Sequence, residues 1–288
     1  MSGWTRRATL SAAVLGVTGC AVSDPVVRGG TTAAPIGPPS LGPTQAASLR
    51  AEAELRAWFV AGGHEGLASV RSAHIVRLRS ADPLLPGDEP DFEAPAVAAP
   101  VADGAAERAI AAHRASALEH CGVNQPLALF YSALSVSAAD RGASGGGGEP
   151  TVFAPASVEA ARALLLERYW ALAYALERGS GALDPKSPEY AAVRARIPQV
   201  WESRDEVAAL VPQPPAQKTS YDIGPVGNPA EALAAFAAQE LAVLGAWGRL
   251  FAALPPTDAP DALDAMAAQG PRVRAWGGKL PVWPGFTG

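Results

Sequence analysis

The stretch "NPAEALAAFAAQELAVLGAWGRL", residues 228–250, carries the clearest helix signals in the chain. It begins with Asn228 as a capping residue, followed by a proline at the first helical position and a glutamate at the third. This order is typical of a helix N-terminus. Large apolar residues then recur at helical spacing, while alanine fills many of the other positions. The stretch therefore predicts a long helix that packs closely against other helices.

Glu240 lies in the middle of the apolar stripe of this helix. At 100° per residue, five apolar residues lie within about 40° of its direction: Leu233, Phe236, Leu244, Trp247 and Phe251. A carboxylate at a buried position needs a partner, because an isolated charge in an apolar interior is very costly. Three explanations are open, namely a metal ligand, a catalytic carboxylate and one half of a buried ion pair.

The rest of the chain repeats the helical pattern, and the fold class is predicted to be all-α. Four helices are expected in residues 44–141 and four more in residues 157–288, separated by the Gly-rich linker 142–156. The chain ends in an extended tail, whose Trp283 and Phe286 are expected to pack back on the helices. No strand-like alternation is sustained anywhere in the sequence.

The composition agrees with closely packed helices and argues against nucleic acid as a partner. Hydrophobic residues make up 49% of the chain but aromatic residues only 7%, because much of the apolar content is alanine. The net charge is −5, and the sequence contains neither a basic run nor a cluster of arginines interleaved with aromatic residues. Nucleic-acid binding normally requires such a basic surface.

The N-terminus resembles a bacterial lipoprotein signal. Arg6 and Arg7 precede an apolar segment, residues 8–17, that is too short to cross a bilayer as a permanent helix. The sequence Val-Thr-Gly-Cys that ends at Cys20 resembles the lipobox, in which the cysteine receives a diacylglyceryl group and becomes the first mature residue. Residues 1–19 are thus predicted to be a cleaved signal peptide, and Cys20 the lipid attachment site.

The predicted mature protein is held at the outer face of the cell membrane by its acyl chains. Cleavage removes two arginines and no acid, which takes the net charge from −5 to −7, so its overall charge would not favour anionic lipid. Two acyl chains are sufficient for stable anchoring. The Pro- and Gly-rich residues 20–43 are expected to form an extended tether. Both the general secretory and the twin-arginine export routes remain open.

A histidine-containing metal site around Glu240 is not expected within the second half of the chain. All four histidines lie in the first half: His64, His74, His113 and His120. No Glu-x-x-His motif, the ligand pair of di-iron bundles, is present. His113 and His120 are about 10.5 Å apart along a helix at 1.5 Å per residue, too far to chelate one ion. The remaining metal alternative is an all-carboxylate site for iron or manganese, with Glu167, Glu202 and Glu240 as weak candidate ligands.

Arg204 offers an explanation of Glu240 that needs no metal. It lies on the apolar stripe of a neighbouring helix, between Val200 and Val207. A buried arginine on one helix and a buried acid on the next suggest that the two charges neutralise each other. We therefore predict a structural buried ion pair between Glu240 and Arg204.

The second half also resembles a known family. Its helical segments are similar to the ferritin-like domain of unknown function that occurs in secreted proteins and lipoproteins of actinobacteria. The similarity covers about residues 157–286 and is carried by "LLLERYWALAYALERG", "VWESRDEVAALVPQPP", "NPAEALAAFAAQELAVLGAWGRL" and "RVRAWGGKLPVWPGF". It implies a ferritin-like four-helix bundle over residues 157–276, without an established activity. Arg168 and Val200 stand where members of the family tend to have histidines.

Together these observations predict a lipid-anchored, extracytoplasmic, ferritin-like helical protein with a structural or interaction role at the cell envelope. No catalytic residue and no cofactor are predicted, and the sequence does not identify a protein partner. Two alternatives remain. One is a metal-binding or oxidoreductase bundle with the all-carboxylate site. The other is a ligand-binding bundle lined by Trp170, Tyr174 and Trp247.

Overall fold

The structure, a computed structural model, describes residues 41–87, 91–97, 103–140, 142 and 148–286. These residues form eight α-helices: α1 (Pro43–Ala61), α2 (Glu65–Leu78), α3 (Ala105–His120), α4 (Gln125–Ala139), α5 (Val158–Ser180), α6 (Pro188–Ala209), α7 (Pro229–Ala253) and α8 (Ala259–Ala275). The predicted all-α class is confirmed. The predicted signal peptide, Cys20 and most of the tether lie outside the described residues.

The helices begin where the sequence signals place them. Ser157 caps α5 by accepting a hydrogen bond from the backbone N–H of Ala160 at 3.1 Å. Asn228 caps α7 in the same way, with the N–H of Glu231 as donor at 3.0 Å. Each cap satisfies a backbone donor that has no partner inside the helix. Helix α6 continues through Pro198 rather than ending there.

The helices form two groups of four, α1–α4 and α5–α8, with the same order of connections. In each group a short connection is followed by a long one and then by another short one. The connections are residues 62–64, 79–104 and 121–124 in the first group and residues 181–187, 210–228 and 254–258 in the second. Within the groups, α5 packs extensively on α7, α7 on α8, and α3 on α4.

One main hydrophobic core runs through both groups. Helix α4 contacts α7 and α8, and one continuous cluster contains most of the buried apolar residues of both groups. A smaller cluster lies mainly among α1, α2 and α3. Among the described helices, none combines the length and the apolar character needed to cross a membrane.

The C-terminal tail packs back on the helices, as predicted. Trp283 and Phe286 are both buried. The Trp283 ring stacks on Phe130 of α4 with ring centroids 5.2 Å apart, and it also contacts His74 of α2. The tail therefore extends from α8, in the second group, onto helices of the first.

Candidate functional site

Glu240 is fully buried on α7, as its position in the apolar stripe predicts. Its carboxylate accepts two hydrogen bonds from Arg196 of α6. The Nε of Arg196 donates to Oε1 at 2.8 Å, and Nη2 donates to Oε2 at 3.1 Å. This two-point contact is the strongest geometry available to an arginine and a carboxylate. Glu240 is therefore one half of a buried ion pair.

Helix α8 adds a third member to this pair. The amide orientation of Gln269 follows from its neighbours, because only one orientation places its NH₂ against a carboxylate and its oxygen against a guanidinium. In that orientation it donates to Glu240 Oε2 at 2.8 Å and accepts from Arg272 Nη1 at 2.7 Å. Glu240, Arg196 and Gln269 are called the Glu240 cluster below. The cluster joins α6, α7 and α8.

The predicted ion pair between Glu240 and Arg204 is wrong. The Arg204 side chain is 28% exposed and forms an ion pair with its neighbour Asp205, at 2.7 Å between Nη2 and Oδ1. Arg196 and Arg204 are eight residues apart, which is about 12 Å along a helix axis. Both border the same apolar stripe of α6, but only Arg196 lies at the level of Glu240.

A second buried carboxylate, Glu52 of α1, is not among the residues predicted from the sequence. It is 0% exposed and lies where the four helices of the first group converge. Its Oε1 accepts from Arg71 Nη1 at 3.2 Å and from His113 Nε2 at 2.8 Å. Its Oε2 lies 3.1 Å from His74 Nδ1. Glu52, Arg71, His74, His113 and Ser137 are called the Glu52 cluster below.

Arg71 and His74 extend this cluster to α4 and to the C-terminal tail. Arg71 Nη2 donates to the backbone oxygen of Ser137 at 2.6 Å and to its Oγ at 2.8 Å. His74 donates from Nε2 to the backbone oxygen of Val282 at 2.9 Å. His113 Nδ1 and Arg71 Nε have no hydrogen-bond partner among the described residues. His74 and His113 are thus packed and hydrogen-bonded inside the first group.

The other candidate ligands lie in different surroundings. Glu167 forms an ion pair with Lys218 in the connection between α6 and α7. Glu202 is exposed on α6. Within the described part of the chain, no group of three or more His, Cys, Asp or Glu side chains is placed to hold a common metal ion. His120 stacks on Tyr131 with ring centroids 5.4 Å apart.

The aromatic residues proposed as a ligand lining contact other protein groups. Trp247 donates from Nε1 to the hydroxyl of Tyr169 at 3.0 Å. Tyr174 packs against Tyr221 with ring centroids 5.8 Å apart. Trp170 is half-buried and packs against the main core. These contacts are those of ordinary core and rim packing.

The Glu52 cluster stabilises the charged form of its carboxylate. Burial by itself would raise the pKa of Glu52, but the charges of Arg71 and His74 and the hydrogen bonds from His113 and His74 hold it well below its usual range. Burial lowers the pKa of His74, against the opposing effect of Glu52. Each ring nitrogen of His74 faces an acceptor, Nδ1 the Glu52 carboxylate and Nε2 the Val282 carbonyl oxygen.

The directions of these two pKa shifts predict that acid destabilises the protein in two steps. Below about pH 6.5 the unfolded chain protonates His74 more readily than the folded chain does. Below about pH 4.5 the same holds for Glu52. In both ranges the unfolded state binds more protons, so stability falls as the pH falls.

We expect the urea midpoint to decrease from pH 7 to 5, and the His74→Gln variant to show a smaller decrease. His64→Gln, at an exposed position, is the control, and an unchanged pH profile in His74→Gln would contradict the assignment.

The two clusters place an acid, at least one arginine and further hydrogen-bond donors inside each group of four helices. Such an arrangement fixes the positions of helices relative to one another, and it leaves each carboxylate with its charge already balanced. Both carboxylates are fully buried. Comparison with protein-family models, curated proteins and solved structures finds no match to this chain.

Proposed function

We propose that this chain is a lipoprotein of the cell envelope, anchored to the membrane through Cys20. Its helices form a ferritin-like unit that works as a structural or interaction module and catalyses no reaction. The proposal combines the lipobox-like sequence with the chemistry of the two buried clusters.

The observation that carries the non-catalytic part is the pairing of each buried carboxylate with an arginine. In ferritin-like di-iron proteins, carboxylates that project into the bundle hold the metal ions. Glu52 and Glu240 are also buried among helices, but each pairs with a guanidinium group, that of Arg71 or Arg196. A guanidinium is charged at any physiological pH. A carboxylate held in this way needs no metal for its stability.

The order of connections supports a ferritin-like architecture. Ferritin-like bundles contain one long crossover connection among their four helices. In each group the middle connection is the long one, residues 79–104 in the first group and residues 210–228 in the second. This pattern supports the resemblance for the second group and extends it to the first.

The anchoring part of the proposal predicts a large change in location when Cys20 is replaced. Wild-type protein should be recovered in the membrane fraction and should incorporate a fatty-acid label. Cys20→Ala should abolish both, because no thiol remains at the lipobox. Cys121→Ala is the matched control, since it removes the other cysteine of the chain, and it should leave labelling unchanged. Retention of the Cys20→Ala protein in the membrane fraction would contradict anchoring by acylation.

The non-catalytic part is tested by metal analysis of protein purified without chelators. We expect iron and manganese well below one atom per chain. Stoichiometric metal that is lost on Glu240→Ala, Glu167→Ala or Glu202→Ala would instead establish the all-carboxylate site. Stoichiometric metal that is lost on Glu52→Ala would place a site in the first group. Either result would overturn the non-catalytic assignment independently of the anchoring result.

A further inference from the structure

A small pocket with two arginines lies between α5 and α7, away from both buried clusters. Its volume is about 270 Å³. Helix α5 contributes Leu164 and Arg168, and helix α7 contributes Ala242, Gly245, Ala246 and Arg249. Residues three and four apart on a helix share a face, so these positions line one groove along the contact between the two helices.

Small residues let a ligand approach the helix backbone in this groove. Gly245 and Ala246 are buried and present little side-chain volume. Gly285 of the C-terminal tail closes one side of the pocket. Its φ is +97°, and a Cβ at this position would come within 2.9 Å of Met266 Cε. The positive φ favours glycine at this wall of the pocket, whereas the contact with the end of the flexible Met266 side chain can be relieved by a small shift.

Arg249 of this pocket differs from the buried arginines Arg71 and Arg196. Arg71 and Arg196 are each paired with a buried carboxylate. Arg249 is half-buried, and its guanidinium lies over the Phe153 ring with Cζ 3.4 Å from the centroid. That stacking covers the face of the guanidinium but leaves the N–H groups at its edge free to donate. Among the described residues, no carboxylate lines the pocket and none pairs with Arg168 or Arg249.

Burial lowers the pKa of Arg249, and the structure gives no opposing effect from an acidic group. This is the behaviour expected of a cation that has lost water without gaining a counter-ion. The protein is acidic overall, with a net charge of −5, yet no carboxylate is among the described residues that line this pocket. A locally cationic pocket in an acidic chain is well suited to attract a small anion.

We propose that this pocket binds a small oxyanion, the phosphate or carboxylate group of a ligand, between Arg168 and Arg249. Arginine recognises such groups through two parallel N–H donors. The pocket is slightly smaller than typical cavities for drug-sized ligands, which suits an anionic group with a short substituent. The ligand can be a free anion or the headgroup of a phospholipid. The proposal rests on the pocket alone and is independent of the anchoring of Cys20.

Calorimetric titration of the whole purified protein at low ionic strength tests this assignment. The probes are inorganic phosphate, glycerol 3-phosphate and acetate. We expect saturable binding of at least one probe. Removal of one charged donor pair should weaken it about 10- to 100-fold, so Arg249→Gln and Arg168→Gln should each show this loss. Arg204→Gln is the matched control, because Arg204 pairs with Asp205 outside the pocket.

The order of the probes identifies the source of the anion. Stronger binding of glycerol 3-phosphate than of phosphate supports a lipid headgroup, whereas equal or weaker binding supports a free anion. Arg168 is exposed, so its variant keeps the test valid if Arg249→Gln does not fold. Absence of saturable binding at millimolar concentration overturns the proposal. So does equal binding by wild type and a folded Arg168→Gln protein.

Discussion

Replacement of Glu52 by glutamine is expected to destabilise the protein by about 3–5 kcal/mol, the usual cost of removing one partner from a buried ion pair. Glutamine keeps the size of the side chain, so the effect isolates the charge. Arg71 would keep its two bonds to Ser137 but would lose its counter-charge. The glutamine amide has one acceptor oxygen where the carboxylate has two, so it cannot accept from both sides of the cluster as Glu52 does, and His113 is one of the donors affected.

The chain offers a matched control on the same helix. Glu54 forms an ion pair with Arg108 at 3.2 Å, but both side chains are at least 30% exposed. Pairs of this kind contribute about 0–1 kcal/mol, so Glu54→Gln should shift the urea midpoint little. Both variants are measured by urea unfolding followed by far-UV circular dichroism. Equal destabilisation of the two would mean that burial of Glu52 contributes nothing beyond an ordinary surface pair.

A double-mutant cycle separates the pair from the cavity that a variant creates. Glu52→Leu and Arg71→Met each leave one charge buried without its partner, whereas the double variant leaves neither. We expect the double variant to be more stable than the sum of the single effects predicts, with a coupling free energy of about 0.5–3 kcal/mol. Strict additivity would show that Glu52 and Arg71 act independently.

The local sequence was sufficient to predict the helices and the burial of Glu240. Both depend on signals within about twenty residues, namely caps, breakers and the angular position of apolar side chains. The same arithmetic would have found Glu52, since it places this residue between the directions of Leu55 and Leu49. The periodic series Leu49, Ala53, Arg56 and Phe59 instead points the stripe of α1 through Arg56, which is exposed and bonds Ser72, and this obscures Glu52.

The partner of Glu240 could not be predicted in the same way. Helical periodicity gives the direction of a side chain around the axis, but not its height relative to another helix. Helices α6 and α7 are joined by the long connection 210–228, which does not fix how far one helix slides along the other. Arg196 and Arg204 both border the apolar stripe of α6, and only the tertiary packing determines which of them meets Glu240.

Because only one of the two arginines lies at the height of Glu240, replacing each of them should affect stability very differently. Arg196→Met should destabilise the protein by about 3–5 kcal/mol, because it leaves the carboxylate of Glu240 buried with Gln269 as its remaining donor. Arg204→Met should change stability by about 1 kcal/mol or less, since its contact with Asp205 lies at the surface.

The two arginine variants remove the same side chain from the same helix, so their difference reports the environment alone. Urea unfolding at pH 7 gives both values. Intrinsic tryptophan fluorescence follows the same transition, because Trp247 lies on α7 and Trp276 directly follows α8. Removing both charges in Arg196→Met with Glu240→Leu should recover part of the loss, as expected when an uncompensated charge is the main cost. A larger loss in Arg204→Met than in Arg196→Met would mean that Glu240 is neutralised by Arg204 in solution, and that α6 and α7 pack about two turns away from the register described above.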